Sequence, residues 1–333
     1  MKYFLSVLFC CSLMVVQAQE QNQQETARSF MKQGDWDNAI LVLNRAVQAD
    51  PNNLDLQKDL ILSYYYKRDY ANALEKVKTA LDRDDADVAV YQMAGNVYKA
   101  LEQPKEADKL YKRGLKKFPN SGALYSEYGE LLWEKKDYSA IEQWEKGIQQ
   151  DPSYAGNYYN AARYYYFTKD KVWTLLYGEI FVNMESLTDR AAAMKKMLFD
   201  SYKEKLFTDP NLLNGVDKNT PDFAKAFLQT MSKEASLANR GITTETLTMI
   251  RARFILDWFA TNGSKYPFKL FDYQQQLLKE GLFEAYNQWL FGTVESLSSY
   301  DNWIKAHADA HTNFTSFQKN RVFKIPAGQY YGK

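Results

Sequence analysis

Cysteine and histidine are the scarcest reactive residues in this chain of 333 residues, which contains two of each. Both cysteines, Cys10 and Cys11, lie close to the N-terminus and before Gln19. Without that segment the chain has no thiol, which excludes disulfides and thiolate metal sites. Net charge is also almost absent, because 42 basic residues stand against 41 acidic ones. This balance argues against bulk electrostatic attraction to nucleic acid or to an anionic membrane.

The first residues are typical of an export signal. Lys2 supplies a positive start, residues 3–16 form an apolar run, and Val16-Gln17-Ala18 fits the small-residue cleavage pattern. The run is shorter than the roughly 20 residues that a transmembrane helix needs. We therefore expect cleavage after Ala18, with an uncleaved anchor as the alternative. Export without disulfides favours a bacterial envelope compartment, so the mature protein is expected to be periplasmic or secreted.

A period of about 34 residues organises the first half of the chain. Ala39, Ala73 and Ala107 recur at this spacing, and Ala140 follows one position earlier than the period requires. Small and apolar residues before and after each alanine recur at the same spacing, which is the signature of a repeat architecture. The positions that share it are Leu43, Val77, Tyr111 and Trp144, then Ala46, Ala80, Gly114 and Gly147, and, in the preceding helices, Ala27, Ile61, Gly95, Gly129 and Ala162.

These residues resemble the tetratricopeptide-repeat (TPR) family of exported bacterial type. The segments Gly34-Asp35-Trp36-Asp37-Asn38-Ala39-Ile40 and Asp50-Pro51-Asn52-Asn53 match the turn and end patterns of the family. The resemblance covers about residues 20–185. It implies an all-α, right-handed solenoid of helix-turn-helix pairs, in which each pair buries its apolar face against the next.

The expected organisation is a signal peptide over residues 1–18, a TPR array of about five helix pairs over 19–186, a C-terminal helical domain over 187–319 and an extended tail over 320–333. Apolar periodicity in the second half predicts helices near 191–206, 222–237, 244–260, 269–280, 282–291 and 298–317. Residues 136–144 and 281–289 align at their aromatic, Ala, Gln and Trp positions. Residues 265–291 are therefore either a degenerate TPR-like pair or a chance similarity between two helical stretches.

The resemblance also implies where a partner binds, because the first helix of each TPR pair lines a concave groove. By register, the groove residues are Lys58, Leu62, Tyr65, Tyr66, Gln92, Asn96, Lys99, Ser126, Glu130, Trp133, Tyr159, Arg163 and Tyr166. This mixed aromatic and polar wall favours a groove for a protein or peptide segment. A glycan-binding accessory that uses exposed aromatic side chains is the alternative.

Residues that carry chemistry are few, and we expect no catalytic site and no cofactor. His307 and His311 stand four apart and would share one helix face, which makes them weak candidates for a metal site. Ala308 occupies the place where a zinc-peptidase motif needs Glu, and no cysteine is available as a third ligand. The alternative is a solvated polar face. Arg251 and Arg253 form too small a basic cluster to indicate nucleic acid.

Overall fold

The computed structural model describes residues 23–319 and 321–332, and every regular element in these ranges is helical. This confirms the all-α prediction. The predicted signal peptide and its cleavage site lie outside the described residues. The chain divides into two compact units, one up to Pro119 and one from Asn120 onward.

The first unit contains six helices in its described part. They are α1 (23–33), α2 (Trp36–Ala49), α3 (Leu54–Tyr66), α4 (Tyr70–Leu81), α5 (Val88–Ala100) and α6 (Pro104–Lys117). Side chains of Asp35, Asn53, Asp69 and Asp87 accept hydrogen bonds from the first-turn N–H groups of α2 to α5. Pro104 opens α6, where its missing N–H costs nothing.

The second unit begins with five helices of 11 to 13 residues, α7 (Gly122–Glu134), α8 (Ala140–Gln150), α9 (Ala155–Tyr166), α10 (Trp173–Met184) and α11 (Asp189–Ser201). A π-helical turn, Tyr202–Leu206, extends α11. The helices that follow are α12 (Asp222–Ser232), α13 (Ala235–Ala238), α14 (Thr244–Thr261), α15 (Lys269–Lys279), α16 (Phe283–Asn287), α17 (Thr293–Glu295), α18 (Leu297–Ala306) and α19 (Ala308–Lys319), with a second π-helical turn, Gln288–Gly292, between α16 and α17.

The periodic positions of the sequence are the helix crossings of the structure. Ala39, Ala73, Ala107 and Ala140 are each fully buried. Where the second helix of a pair carries a large ring, the first helix carries glycine. A Cβ atom on Gly129 would lie 2.7 Å from Cδ1 of Trp144, and one on Gly95 would collide with the phenol of Tyr111. The repeats therefore keep their spacing by matching small residues with large ones.

The turns between paired helices share one backbone conformation. The chain enters the left-handed region at four evenly spaced positions, Gly34, Arg68, Glu102 and Lys136, with φ values of 74°, 65°, 54° and 59°. In the first of these turns the N–H of Gly34 donates to Met31 O and the N–H of Asp35 donates to Phe30 O. These two bonds satisfy the last carbonyls of the helix.

The same turn returns between α15 and α16. Gly281 has a φ of 71°, and its N–H donates to Leu278 O at 3.2 Å. The N–H of Leu282 donates to Leu277 O at 2.8 Å, as in the repeat turns. Ala285 is buried like its counterpart Ala140. These features support the TPR-like interpretation of residues 265–291, although α16 gives way to a π-helical turn after Asn287.

A buried polar network joins four helices of the second unit. The carboxylate of Glu179 on α10 forms an ion pair with Arg251 on α14, and Arg251 also donates to Asn287 on α16. Gln274 on α15 and the hydroxyl of Tyr286 donate to Glu179 Oε1 at 2.6 and 2.7 Å. Burial alone would lower the pKa of the Arg251 guanidinium, but Glu179 and the nearby phenols raise it above its ordinary value. The guanidinium of Arg251 therefore stays charged inside the core.

The second half departs from the predicted helices at three places. The segment expected as one helix near 298–317 is broken at His307 into α18 and α19. The segment near 222–237 is α12 followed by the short α13, and the segment near 191–206 ends in a π-helical turn. In addition, α10 and α11 lie on either side of the expected boundary after residue 186 but belong to the same compact unit. The extents of the repeat array and of the C-terminal domain stay predictions.

Replacing Trp144 tests the packing of the repeats. Trp144 is 3% exposed and its indole N–H donates to Ser126 O at 3.2 Å. Trp144→Ala is expected to lower the free energy of unfolding by about 3–5 kcal/mol, because it leaves a cavity at a helix crossing. Urea denaturation measures the change. Leu187, which is 96% exposed, provides the control, since Leu187→Ala is expected to change stability by less than about 0.5 kcal/mol. Equal effects of the two changes would contradict the packing.

Replacing one member of the buried ion pair tests the network. Arg251→Met leaves Glu179 buried without its counter-charge and is expected to lower the free energy of unfolding by about 3–5 kcal/mol. The double change Glu179→Gln with Arg251→Met removes both charges and is expected to cost less than the single change. Arg253→Met is the matched control, because the Arg253 side chain is 61% exposed. A small effect of Arg251→Met in urea denaturation would show that the pair does not hold the unit together.

Candidate functional site

A pocket of about 240 Å³ opens between α7, α8 and α9 of the second unit. In the repeat register, α7 and α9 are first helices of their pairs, and α8 is the partner of α7. The residues that line the pocket are Glu130, Trp133, Glu134, Trp144, Tyr159, Asn160, Arg163 and Tyr164. The register therefore brings two first helices and one second helix to a single concave site.

Three aromatic side chains form one wall of the pocket. The ring of Trp133 lies 6.0 Å from Trp144 and 5.8 Å from Tyr164, and Trp144 lies 6.5 Å from Tyr164, in tilted and edge-on arrangements. Trp144 is buried, whereas Trp133 and Tyr164 are half-buried. Burial, with a smaller contribution from Glu145, raises the pKa of the Tyr164 phenol. The wall offers an apolar face to a ligand while its deepest ring stays fixed in the core.

A polar bridge fixes the distance between α7 and α9 beside this wall. The side-chain amide of Asn160 donates to Glu130 Oε1 at 2.9 Å and to Ser126 Oγ at 3.2 Å. Asn160 itself is buried. Because a buried amide is costly to leave unpaired, these two bonds hold the carboxylate of Glu130 in place at the edge of the pocket.

Arg163 supplies the positive charge of the pocket. Its guanidinium stacks on the ring of Tyr159 at 5.3 Å. Arg190 lies 5.0 Å from the same ring but is committed to Glu185 at 2.5 Å. No ion pair or hydrogen bond of the Arg163 side chain is present within residues 23–319 and 321–332. Stacking leaves the in-plane N–H groups of Arg163 available to a ligand.

Four of the predicted groove residues meet in this pocket: Glu130, Trp133, Tyr159 and Arg163. The repeat register did not indicate Glu134, Asn160 or Tyr164. Asn160 and Tyr164 each follow a predicted position by one residue, so a pocket that spans the full width of α9 includes both. The signal that could have found Asn160 is its spacing of 34 residues from Ser126, its hydrogen-bond partner.

Two predicted residues of the second unit lie elsewhere. Ser126 was expected to face the groove, but it is 3% exposed and accepts a hydrogen bond from Asn160 beneath the surface. Its hydroxyl lies beside Asn160 and Gly156 of α9, so Ser126 does not line the pocket. Tyr166 is half-buried, its hydroxyl donates to Asp200 Oδ2 at 3.4 Å, and Lys205 lies over its ring at 4.8 Å. It does not line the pocket.

The other predicted groove residues lie on the first helices α3 and α5 of the first unit. They are Lys58, Leu62, Tyr65, Tyr66, Gln92, Asn96 and Lys99, all half-buried except Tyr66, which is 56% exposed. Lys58 pairs with Asp55 at 2.7 Å and with Asp87 at 3.0 Å. Burial lowers the pKa of the Lys58 ammonium, but the two carboxylates raise it, and the net shift is upward. Lys58 is thus already occupied by intramolecular partners.

An aromatic cluster marks the turn end of α3. The ring of Tyr66 stacks on Trp36 at 5.1 Å, and Tyr65 packs against Tyr66 at 5.5 Å and against Tyr70 at 5.7 Å. The repeat register indicated Tyr65 and Tyr66 but assigned Trp36 only to a turn. Trp36 and Tyr70 occupy the same position one period apart, and both rings pack against the turn end of α3.

The two histidines do not share one helix face. Helix α18 ends at Ala306, and His307 adopts φ −127° and ψ 42° before α19 begins. The imidazole of His307 stacks on Trp303 at 5.0 Å, and its Nδ1 lies 3.1 Å from Trp303 O. The backbone leaves helical geometry at His307, and the imidazole of this residue packs on Trp303 of α18 while His311 lies within α19. Within the described ranges, no group of three or more His, Cys, Asp or Glu residues is placed to hold a metal ion.

Family models described as tetratricopeptide repeat match residues 25–88 and residues 88–131. Together with the period, the buried crossings and the common turn, these matches show that the chain is a tetratricopeptide-repeat protein over that segment. The comparison with curated proteins finds no match. Across the part of the chain that the structure describes, no helix is both long and apolar enough to cross a membrane.

Several solved structures are similar to part of the chain. A thermophilic TPR protein of Thermus thermophilus has 16% identity and a TM-score of 0.45, over 54% of this chain and 98% of the other. YrrB, described as a TPR protein with an unusual peptide-binding site, has 21% identity and a TM-score of 0.37, over 52% and 90%. MamA of Desulfovibrio magneticus has 14% identity and a TM-score of 0.40, over 51% and 97%.

Proposed function

We propose that this protein is a non-catalytic scaffold that binds an extended segment of a protein partner along the first helices of its repeats. TPR domains are protein-interaction scaffolds, and the repeats of this chain keep the small-to-large crossings that build such a surface. The proposal assigns no catalytic step to any residue. It gives the pocket between α7, α8 and α9 the role of anchoring one part of the partner.

The convergence of Glu130, Trp133, Tyr159 and Arg163 on one pocket carries this proposal. The four residues were selected by register alone, and they come from two different helices. A wall of aromatic rings suits a large apolar side chain of the partner, since burying such a side chain is strongly favourable. The charged groups at the rim then fix the orientation of the segment, as polar groups do in binding sites that are otherwise apolar.

A peptide selection tests this proposal. A phage library of random peptides is selected on the mature protein, and individual peptides are measured by fluorescence anisotropy. Trp133→Ala and Arg163→Ala are each expected to weaken binding about tenfold or more, because anchors in an interface typically contribute at least about 1–2 kcal/mol. Tyr65→Ala tests the face of the first unit separately.

Leu187→Ala is the control for the selection, because Leu187 is almost fully exposed and lies outside the pocket. It is expected to leave the affinity unchanged. Failure to select any peptide, or selected peptides that bind the Trp133→Ala and Arg163→Ala variants as tightly as the wild type, would contradict the proposed site.

We also propose that the protein is exported and acts in the bacterial envelope, as a periplasmic or secreted protein. The support is the sequence of residues 1–18, with its positive start, apolar run and small residues before Gln19. A scaffold in that compartment does not depend on disulfides, since both cysteines precede the expected cleavage site.

Mass spectrometry of the protein from its native cells tests export. The N-terminal peptide is expected to begin at Gln19 and to come from the extracytoplasmic fraction. Leu13→Arg interrupts the apolar run and is expected to keep the protein in the cytoplasm with the segment 1–18 still attached. Leu41→Arg, at a position that is half exposed, adds the same charge outside the signal and is expected to leave export intact. Wild-type protein that is found in the cytoplasmic fraction with residues 1–18 still attached would refute the proposal.

A further inference from the structure

Residues 321–332, here called the C-terminal strap, follow α19 without forming a helix. The strap begins against α15. The guanidinium of Arg321 donates to Gln276 Oε1 at 2.6 Å and lies over the rings of Tyr273 and Phe317 at 5.4 and 4.8 Å. Ile325 is then buried. Side chains therefore attach this extended segment to the second unit.

The middle of the strap completes the start of α15. Phe268, at the N-cap position of α15, has no side chain that can accept a hydrogen bond from the first turn. Oε1 of Gln329 takes that role and accepts from Lys269 N at 2.6 Å. Gly328 adopts a φ of 84°, a conformation that brings the strap round to this position and that other residues rarely adopt.

Tyr331 is the main anchor of the strap. Its ring stacks on Phe223 of α12 at 4.5 Å, with the two planes within 2° of each other. Its hydroxyl donates to Pro267 O at 2.8 Å. Tyr266 and Phe268 border the same ring at 5.7 and 6.0 Å.

The far end of the strap reaches the repeat helices α8 and α10. Burial, together with the nearby carboxylate of Glu145 on α8, raises the pKa of the Tyr330 phenol. Gly332 is buried against Tyr177 of α10, where an added Cβ would lie 2.8 Å from the hydroxyl oxygens of both Tyr177 and Tyr330. The strap thus connects α12 and α15 with α8 and α10.

A recess lined by tyrosine side chains lies under this end. The ring of Tyr177 packs at 5.9 Å from Tyr158 and 6.2 Å from Tyr165. The hydroxyls of Tyr177 and Tyr158 are buried without a hydrogen-bond partner among the described residues. Such groups cost free energy as long as they are kept from water. Gly332 lies against the Tyr177 hydroxyl, so lifting the strap would expose that hydroxyl to water. The hydration it regains would offset part of the packing free energy that is lost when the strap leaves.

The recess and the candidate pocket share α8 and α9. The hydroxyl of Tyr165 on α9 donates to Glu145 Oε1 at 2.6 Å, and the phenol of Tyr330 from the strap lies near the same carboxylate. Glu145 directly follows Trp144, and the ring of Tyr165 touches that of Tyr164 at 5.5 Å. Trp144 and Tyr164 line the pocket on the other side of these helices.

We propose that the recess between α8, α9 and α10, together with the adjoining aromatic surface of Phe223 and Phe268, is a second binding site for an extended segment with tyrosines at successive positions. The C-terminal strap occupies this site in a releasable manner. A partner segment of the same chemistry as Tyr330 and Tyr331 would take the place of the strap. The site does not depend on the proposed function of the pocket.

Limited proteolysis of the full chain tests release. Lys324 is exposed, but the next residue, Ile325, is buried. Trypsin can therefore cut after Lys324 only when the strap lifts from the surface. In the wild type this cleavage is expected to be at least tenfold faster than any cleavage within α7–α11, with a weak urea dependence that indicates local opening. Tyr331→Ala is expected to accelerate it about tenfold, and Tyr331→Phe, which keeps the stacked ring, much less. Cleavage after Lys324 that occurs only at the global unfolding transition would overturn the release.

A synthetic peptide of residues 321–332 with a fluorescent label tests the site itself. It is expected to bind the full-chain Tyr331→Ala variant at least tenfold more tightly than the wild type, whose own strap competes. The same peptide with alanine at both tyrosine positions is the matched control and is expected not to bind. If Tyr331→Ala fails to fold, the Gln329→Ala variant replaces it in this experiment, because it removes the contact of the strap with the start of α15. A loosened strap without peptide binding would overturn the second site.

Discussion

The buried pair of Glu179 and Arg251 is the interaction on which the second unit depends. One carboxylate oxygen collects the guanidinium, the amide of Gln274 and the hydroxyl of Tyr286. Because each partner comes from a different helix, α10, α14, α15 and α16 can satisfy these groups only in one mutual arrangement. A charge that is expensive to bury thereby specifies how α10 packs against α14, α15 and α16.

The repeat region obeys a simpler constraint, the closeness of its helix crossings. Glycine at positions 95 and 129 admits the rings of Tyr111 and Trp144, while Ala27 accompanies the smaller Leu43. At the crossings that carry a large ring on the second helix, glycine on the first helix makes room for it. Deep rings are then fixed in the core, and neighbouring rings such as Trp133 are held at the surface beside them. The candidate pocket is a consequence of this packing, since Trp144 belongs to both.

Each side of α8 and α9 carries one of the two proposed binding sites. The open side carries the pocket with Trp144 and Tyr164, and the other side carries Glu145 and Tyr165 beneath the C-terminal strap. Binding on either side acts on the same two helices. If a ligand in the pocket changes the affinity of the strap for its site, the strap changes the affinity of the pocket for that ligand by the same factor, because such coupling is reciprocal.

The sequence by itself determined the helical class, the repeat period, the buried crossings and four of the pocket residues, because these depend on the local and periodic placement of small, apolar and aromatic side chains. Tertiary structure alone decided the rest. Arg251 reads in the sequence as part of a small basic cluster with Arg253, yet it is 2% exposed because Glu179, 72 residues away, neutralises it. The position of the strap likewise depends on residues far along the chain, such as Phe223 beneath Tyr331, which no periodic pattern encodes.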